Sequence, residues 1–179
     1  LVELLLKNGA SVEARDKYGD TALHHAIQSN ADTVRLLLDP GADIEARNQA
    51  SETALYNASE LGSEHKSENM VGLLLERGAG VEARGGRQRN ALCAALLGGD
   101  EAVIRLLLAN GAKIYGKTCI PENQSLETSQ LSLTPRAESK TEAETALAGL
   151  HLASRNGNLE LLQILIDEKI DLNFKFYDG

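Results

Sequence analysis

Tryptophan is absent from this chain, and four tyrosines and two phenylalanines make up its aromatic content, 3% of 179 residues. Stacking successive nucleobases needs exposed rings at intervals, so a base-stacking nucleic-acid platform is excluded. Positive charge is also scarce. Against 26 Asp and Glu stand 18 Lys and Arg, a formal net charge of −8, and phosphate repulsion then opposes nonspecific nucleic-acid binding. No run of roughly 18 apolar residues occurs, so no membrane insertion is expected. The two cysteines, Cys93 and Cys119, cannot make a disulfide framework, and nothing spaces them as a redox or metal pair. This suits a reducing, intracellular setting, cytoplasmic or nuclear. Zinc has no HExxH or His–Cys cluster to hold it, and Gly85-Gly86 and Gly98-Gly99 lack the strand-to-helix setting of a phosphate loop. No cofactor or metal is expected. With 42% hydrophobic and 25% charged residues, the chain is nevertheless not disordered as a whole.

What is present is repetition. LVELLLKNGASVEARD (1–16) returns as TVRLLLDPGADIEARN (33–48), MVGLLLERGAGVEARG (70–85), VIRLLLANGAKIYGKT (103–118) and, degenerately, LLQILIDEKIDLNFKF (161–176). The copies start 32, 37, 33 and 58 residues apart, so a unit of about 33 residues recurs with insertions. A second phrase alternates with it: TALHHAIQSN (21–30), TALYNASELG (53–62), NALCAALLGG (90–99) and AGLHLASRNG (148–157). Each unit therefore reads as a short helix, a turn, a second helix ending in Gly-Ala, and an extended arm.

These phrases and their order resemble the ankyrin repeat over nearly the whole chain except 118–142. The resemblance implies an all-α repeat solenoid of helix-turn-helix units with projecting β-hairpin fingers. The residues support it independently. Thr21 is placed to cap a first helix, with His24 reaching back to the cap. Val34, Leu36, Leu37 and Leu38 leave the second helix apolar around most of its circumference, which flanking units must cover. Gly9, Gly41, Gly78 and Gly111 follow second helices where a left-handed residue is wanted. Ala22, Ala54 and Ala91 stand where the family often has Pro, Tyr56 and Cys93 where it has His, and Ser51 and Gln88 replace the turn glycine present at Gly19. The middle fingers are therefore expected to be less regular.

Each Gly-Ala is followed by a period-two arm, as in Val12-Glu13-Ala14-Arg15, and a turn. Glu13, Glu45 and Glu82 each lie two residues before Arg15, Arg47 or Arg84, which predicts a solvated charge ladder along the stacked fingers, worth little per pair, the alternative being a specific acidic or basic docking rail. His24 and His151 read as structural hydrogen-bonding residues; His65 falls in a turn.

The expected organisation is a partial unit at 1–16, units at 17–48, 49–84 and 85–117, a Ser/Thr-rich insertion at 118–142, a unit at 143–174 and the start of another at 175–179. GSEHKSEN is expected to lengthen the turn between the helices of the second full unit. The insertion carries eight Ser or Thr and two Pro and reads as a mobile surface segment; Thr134-Pro135 is a candidate phosphate acceptor, and Ser139 and Thr141 open candidate capping boxes. Leu1 falls in a second helix whose first helix is absent, leaving Leu4, Leu5 and Leu6 with an uncovered side. The chain thus reads as an excerpt of a longer array.

By resemblance, the function is noncatalytic: a protein-interaction scaffold, binding a protein partner of unknown identity through fingertips and first-helix faces. The matching positions are Lys17, Tyr18, Asp20 and Gln28; Gln49, Ala50, Glu52 and Glu60; and Arg87, Arg89 and Leu97. Tyr18 is the best single anchor, because an exposed aromatic combines contact area with a hydrogen bond, the alternative being that it packs against the neighbouring finger. Alternatives are a regulatory or substrate-targeting segment of a larger multidomain enzyme, and a spacer whose curvature matters more than its chemistry. Nothing points to a homo-oligomer.

Overall fold

A computed structural model of the chain describes residues 2–62, 65–85, 89–113 and 163. The chain divides into two units, Leu1–Ala112 and Lys113–Gly179, and the seven helices among the described residues belong to the first. Among the described residues of that unit seven helices come in order: α1 Val2–Lys7, α2 Ala22–Ala26, α3 Ala31–Leu38, α4 Ala54–Glu60, α5 His65–Glu76, α6 Ala91–Gly98 and α7 Glu101–Ala109. The first helices α2, α4 and α6 pack in one row, and the second helices α1, α3, α5 and α7 in another. Cross-contacts of α2 with α3, α4 with α5 and α6 with α7 join the rows into two layers. This is the all-α repeat solenoid that the period implies.

Polar caps begin the helices. The Asn30 side chain accepts the Thr33 N–H at 2.8 Å, Thr53 accepts the Tyr56 N–H at 3.3 Å, Asn90 the Cys93 N–H at 3.0 Å and Asp100 the Val103 N–H at 3.2 Å. Each satisfies a donor that the first helical turn leaves open. At α2 the partner is the histidine. His24 Nδ1 accepts the Thr21 N–H at 3.2 Å, so Nε2 carries the proton and donates to Glu52 O of the next unit at 3.1 Å. The structural role read for His24 is therefore met, and it spans a unit boundary.

The second helices all close in one way. Gly9, Gly41, Gly78 and Gly111 have φ between 84° and 100°, and the alanine after each donates back to a leucine carbonyl, Leu5, Leu37, Leu74 or Leu107, at 2.9–3.0 Å. That turn needs a left-handed residue, which costs glycine nothing.

Between the rows lies the core, with Leu23, Val34, Leu37, Leu55, Val71, Leu74, Leu92, Val103, Ile104 and Leu107 at most 2% exposed. Helix α6 is the extreme case: every residue from Ala91 to Leu96 is buried. At the other end Leu4 is 61% and Leu5 51% exposed, the uncovered side expected of α1, whereas Leu6, expected with them, is half-buried.

Two expectations need correction. GSEHKSEN does not simply lengthen a turn, because His65 begins α5, which has 12 residues against 8 in α3 and 9 in α7. The extra residues amount to about one helical turn, absorbed without shifting the Gly-Ala end. The fingers, in turn, are not β-hairpins among the described residues. Ala14, Ala46 and Ala83 donate to Ser11, Asp43 and Gly80 carbonyls three residues back, so the period-two arm curls into a turn. What remains is one isolated bridge, Arg15 to Thr21. With only five residues between that arm and the helix cap, no ladder has room to form.

The charge ladder also differs from expectation. The Glu13 carboxylate accepts the Asp43 N–H of the next unit at 2.8 Å, and Glu45 accepts the Gly80 N–H at 2.6 Å. Arg15 Nη1 donates to Gly19 O at 3.0 Å and to Arg47 O at 2.5 Å. Arg47 Nη1 repeats this with Ser51 O at 2.9 Å and Arg84 O. Rather than forming solvated pairs, these charges bind main-chain groups across the unit boundary, where charge-assisted bonds are stronger than neutral ones.

The insertion at 118–142, Thr134-Pro135, the capping boxes at Ser139 and Thr141, and His151 lie outside the described residues.

Candidate interaction surface

The first finger turns at Lys17 and Tyr18. Asp16 Oδ1 accepts the Tyr18 N–H at 2.8 Å and the Asp20 N–H at 3.0 Å, a local bond pattern that Asp makes readily. Desolvation pushes the Asp16 carboxyl up, but those two amides and His25 outweigh it, and the group is held below the usual Asp value. This fixed turn leaves the Tyr18 ring 58% exposed. The Lys17 ammonium lies 4.7 Å from the ring centroid, within range of a cation–π contact.

Gln49 then ties the second finger to the first. Its backbone N–H donates to Tyr18 O at 3.0 Å and its side-chain amide to Lys17 O at 3.1 Å. Asn48 Nδ2 lies between two acids, 2.9 Å from Asp20 Oδ1 and 3.3 Å from Glu52 Oε2. Lys17, Tyr18, Asp20, Gln49 and Glu52 thus form one connected fingertip region.

Tyr56 and Glu60 stand four apart on α4 and so share a side, while Glu52 lies just before its N-cap Thr53. Tyr56 is 6% exposed. Burial first, then the charges of Glu60 and Glu52, push its hydroxyl above the ordinary tyrosine value, against the opposing pull of Arg89, whose side chain bonds it. Glu60 is raised for the same reasons, burial first and Glu52 second, with Arg89 opposing. Arg89 therefore belongs with Glu60 and Tyr56 electrostatically.

The other anticipated positions are scattered. Gln28 is exposed on the C-terminal side of α2, Ala50 is exposed in the second turn, and Leu97 is partly buried on α6. Arg87 lies outside the described residues.

Two features are not apparent in the sequence. The first is a trio, Asp16, Asp20 and His25, whose possible ligand atoms lie within 4.8 Å of one another. Its spacing of four and five residues is legible once a turn is known to lead into α2. Its groups already have partners, with His25 Nε2 at 3.1 Å from Asp16 Oδ2 and Asp20 bonded to Asn48. The second is Cys93. It is buried in α6 as expected, but it is disulfide-bonded, whereas the sequence spacing suggests no pairing. A cysteine's pairing depends on three-dimensional approach, which spacing does not encode. Cys119 lies outside the described residues.

No helix among the described residues is long and apolar enough to cross a membrane. Comparison with known families matches the description "ankyrin repeats (3 copies)" to residues 1–48 and "ankyrin repeat" to residues 150–175. No curated protein matches the chain. With helix pairs in the same register continuing from Ala54 to Ala109, this chain carries ankyrin repeats, which generally mediate protein–protein interaction.

Proposed function

We propose that the chain is a noncatalytic scaffold that binds a protein partner through its fingertips and the adjoining side of α4. The observation that carries this reading is the exposed Tyr18 ring held on a turn whose backbone is fixed at both ends by Asp16 and Gln49. A rigid, exposed aromatic loses little entropy on contact and offers a hydroxyl for a hydrogen bond. Asp20 and Glu52, bridged by Asn48, add negative charge to this fingertip region, and Glu60 with Arg89 forms a second charged group around Tyr56, so the surface is patterned rather than uniform. Gln28, Arg87 and Leu97 belong to the proposal as well.

The test is affinity capture with the full-length protein beside a variant carrying Tyr18→Ala, Arg87→Ala and Arg89→Ala, both checked for equal circular dichroism. A protein captured by the native chain and lost from the variant supports finger-mediated binding, provided it also binds the purified native chain directly. Identical captures from both would remove these residues from the function.

A further inference from the structure

Arg15 and Arg47 each use one nitrogen for two fingers, bonding the carbonyl of their own turn and the arm of the next unit. Glu13 and Glu45 reach the same neighbour through its amide at Asp43 or Gly80. Each pair of acid and guanidinium therefore grips the following finger by one N–H and one C=O, four residues apart along its arm. No β-ladder supplies this grip, since the only bridge outside the helices among the described residues, Arg15 to Thr21, lies within a single finger.

We infer that these Glu–Arg clasps are a conformational device that couples neighbouring fingers into one stiff rail, separately from the packing of the helices. The physical basis is that the clasps are charge-assisted and lie on exposed backbone, whereas the helices are joined by burial of their own apolar side chains. Cutting a clasp then frees two fingers and leaves the helix layers in place. It also sets a pattern along the chain. Loss of Arg15 frees the turn at Gly19 and the arm at Arg47. Loss of Arg47 frees the turn at Ser51 and the arm at Arg84, while the first finger keeps its grip, because Arg15 bonds the main-chain carbonyl of residue 47 and not its side chain. The fingertip bond from Gln49 N–H to Tyr18 O survives both changes, so the effect is graded.

The experiment is residue-resolved amide hydrogen exchange on the free, full-length protein, with native, Arg15→Ala, Arg47→Ala and, as a control for charge loss elsewhere, Arg35→Ala. In Arg47→Ala the amides of Ser51, Glu52 and Gly85 are expected to exchange about fivefold faster or more, with less than about twofold change at Gly19 and Asp20 and in the helices, as befits a local opening. In Arg15→Ala the fast set moves to Gly19, Asp20 and Asn48. Arg35→Ala leaves all fingers unchanged. Equal acceleration of helices and fingers, or no acceleration in either clasp variant, would overturn the device. Should Arg47→Ala unfold the array, Glu45→Gln is the milder cut: it keeps an acceptor and removes the charge, and faster exchange confined to Gly80 supports the clasp while an unchanged Gly80 rejects it. The readout needs no partner, so it stands or falls independently of the binding proposal.

Discussion

At Leu92 and at Arg47 the chain meets one problem, joining a unit to the next, with different means. Leu92 is wholly buried in α6 between α4 and α7, and its contribution is apolar area withdrawn from water. Arg47 is exposed, and its contribution is a fork of bonds to main-chain carbonyls. Burial is non-directional and spreads through every neighbour, while a charge-assisted bond acts between two atoms. A lesion in the helix layers should therefore be felt globally and a lesion in a finger locally. Leu92→Ala, which leaves a cavity where no neighbour can easily collapse, is expected to cost about 3 kcal/mol, read as a lowered urea midpoint for the whole helical signal. If the same signal instead split into separate transitions, the helix layers would not be cooperative.

Where the two kinds of joint meet, the effect should be intermediate. Asp100 caps α7 through Val103 N–H, and its second oxygen receives the Ser67 hydroxyl at 2.5 Å from α5, at a site only 5% exposed. Asp100→Ala removes a cap and takes away that buried acceptor, for a cost of about 2 kcal/mol. Asp100→Asn keeps most of the geometry and should recover over half of that loss in the same urea titration. Equal loss in both would mean that charge, not shape, holds the joint. Arg47→Ala, in the fingers, should cost only about 1 kcal/mol, because the bonds it breaks are exposed to competing water.

The helix layers are legible in the sequence because their determinants are local and repeated: the caps, the Val and Leu spacing and the closing glycines all fall at fixed offsets within one unit. The fingers are not. Glu45 and Arg47 stand two apart, which invites pairing with each other or with like positions in neighbouring fingers, yet their partners are amides and carbonyls 35 and 37 residues on. Backbone groups carry no signature in sequence, so nothing at residues 80 or 84 announces an acceptor or donor. The arm misleads for a related reason. Alternation of apolar and charged residues suits a strand and equally suits a turn in which Ala14 bonds Ser11, and only space decides. At the candidate surface, Tyr18 can be read as exposed from its place in a turn, whereas the association of Glu60 with Arg89 joins residues 29 apart and depends on their approach in space.

Ser51 sharpens the contrast within the fingers themselves. It adopts φ 63°, the only described non-glycine residue with positive φ, at the turn position that glycine fills at Gly19 with φ 77°. A side chain in that region costs about 1 kcal/mol. Ser51→Gly should therefore stabilise the protein, although a glycine also frees the unfolded chain, so a net gain of roughly 0.5 kcal/mol is expected. Thermal melts of the two proteins check it. A loss of stability would show that Ser51 contributes bonds that outweigh its strain.

Glu60 should give the smallest effect, and one whose sign depends on pH. Its carboxyl is raised above 4.5 by burial and by Glu52, with Arg89 only partly compensating. The folded protein thus holds this proton more tightly than the unfolded chain does, so the favourable contribution is full below the unfolded value and disappears as pH rises through the folded one. At pH 7 the ionised group opposes folding, and Glu60→Gln should raise the melting temperature slightly, by a gain no larger than roughly 0.5 kcal/mol, the scale of an exposed charge interaction. At about pH 3.5, where the native carboxyl is already protonated, the two proteins should melt together. A glutamine variant less stable at pH 7 would mean that the attraction of Arg89 exceeds the repulsion from Glu52, and the side of α4 facing the third finger would then be an ion pair rather than an excess of negative charge.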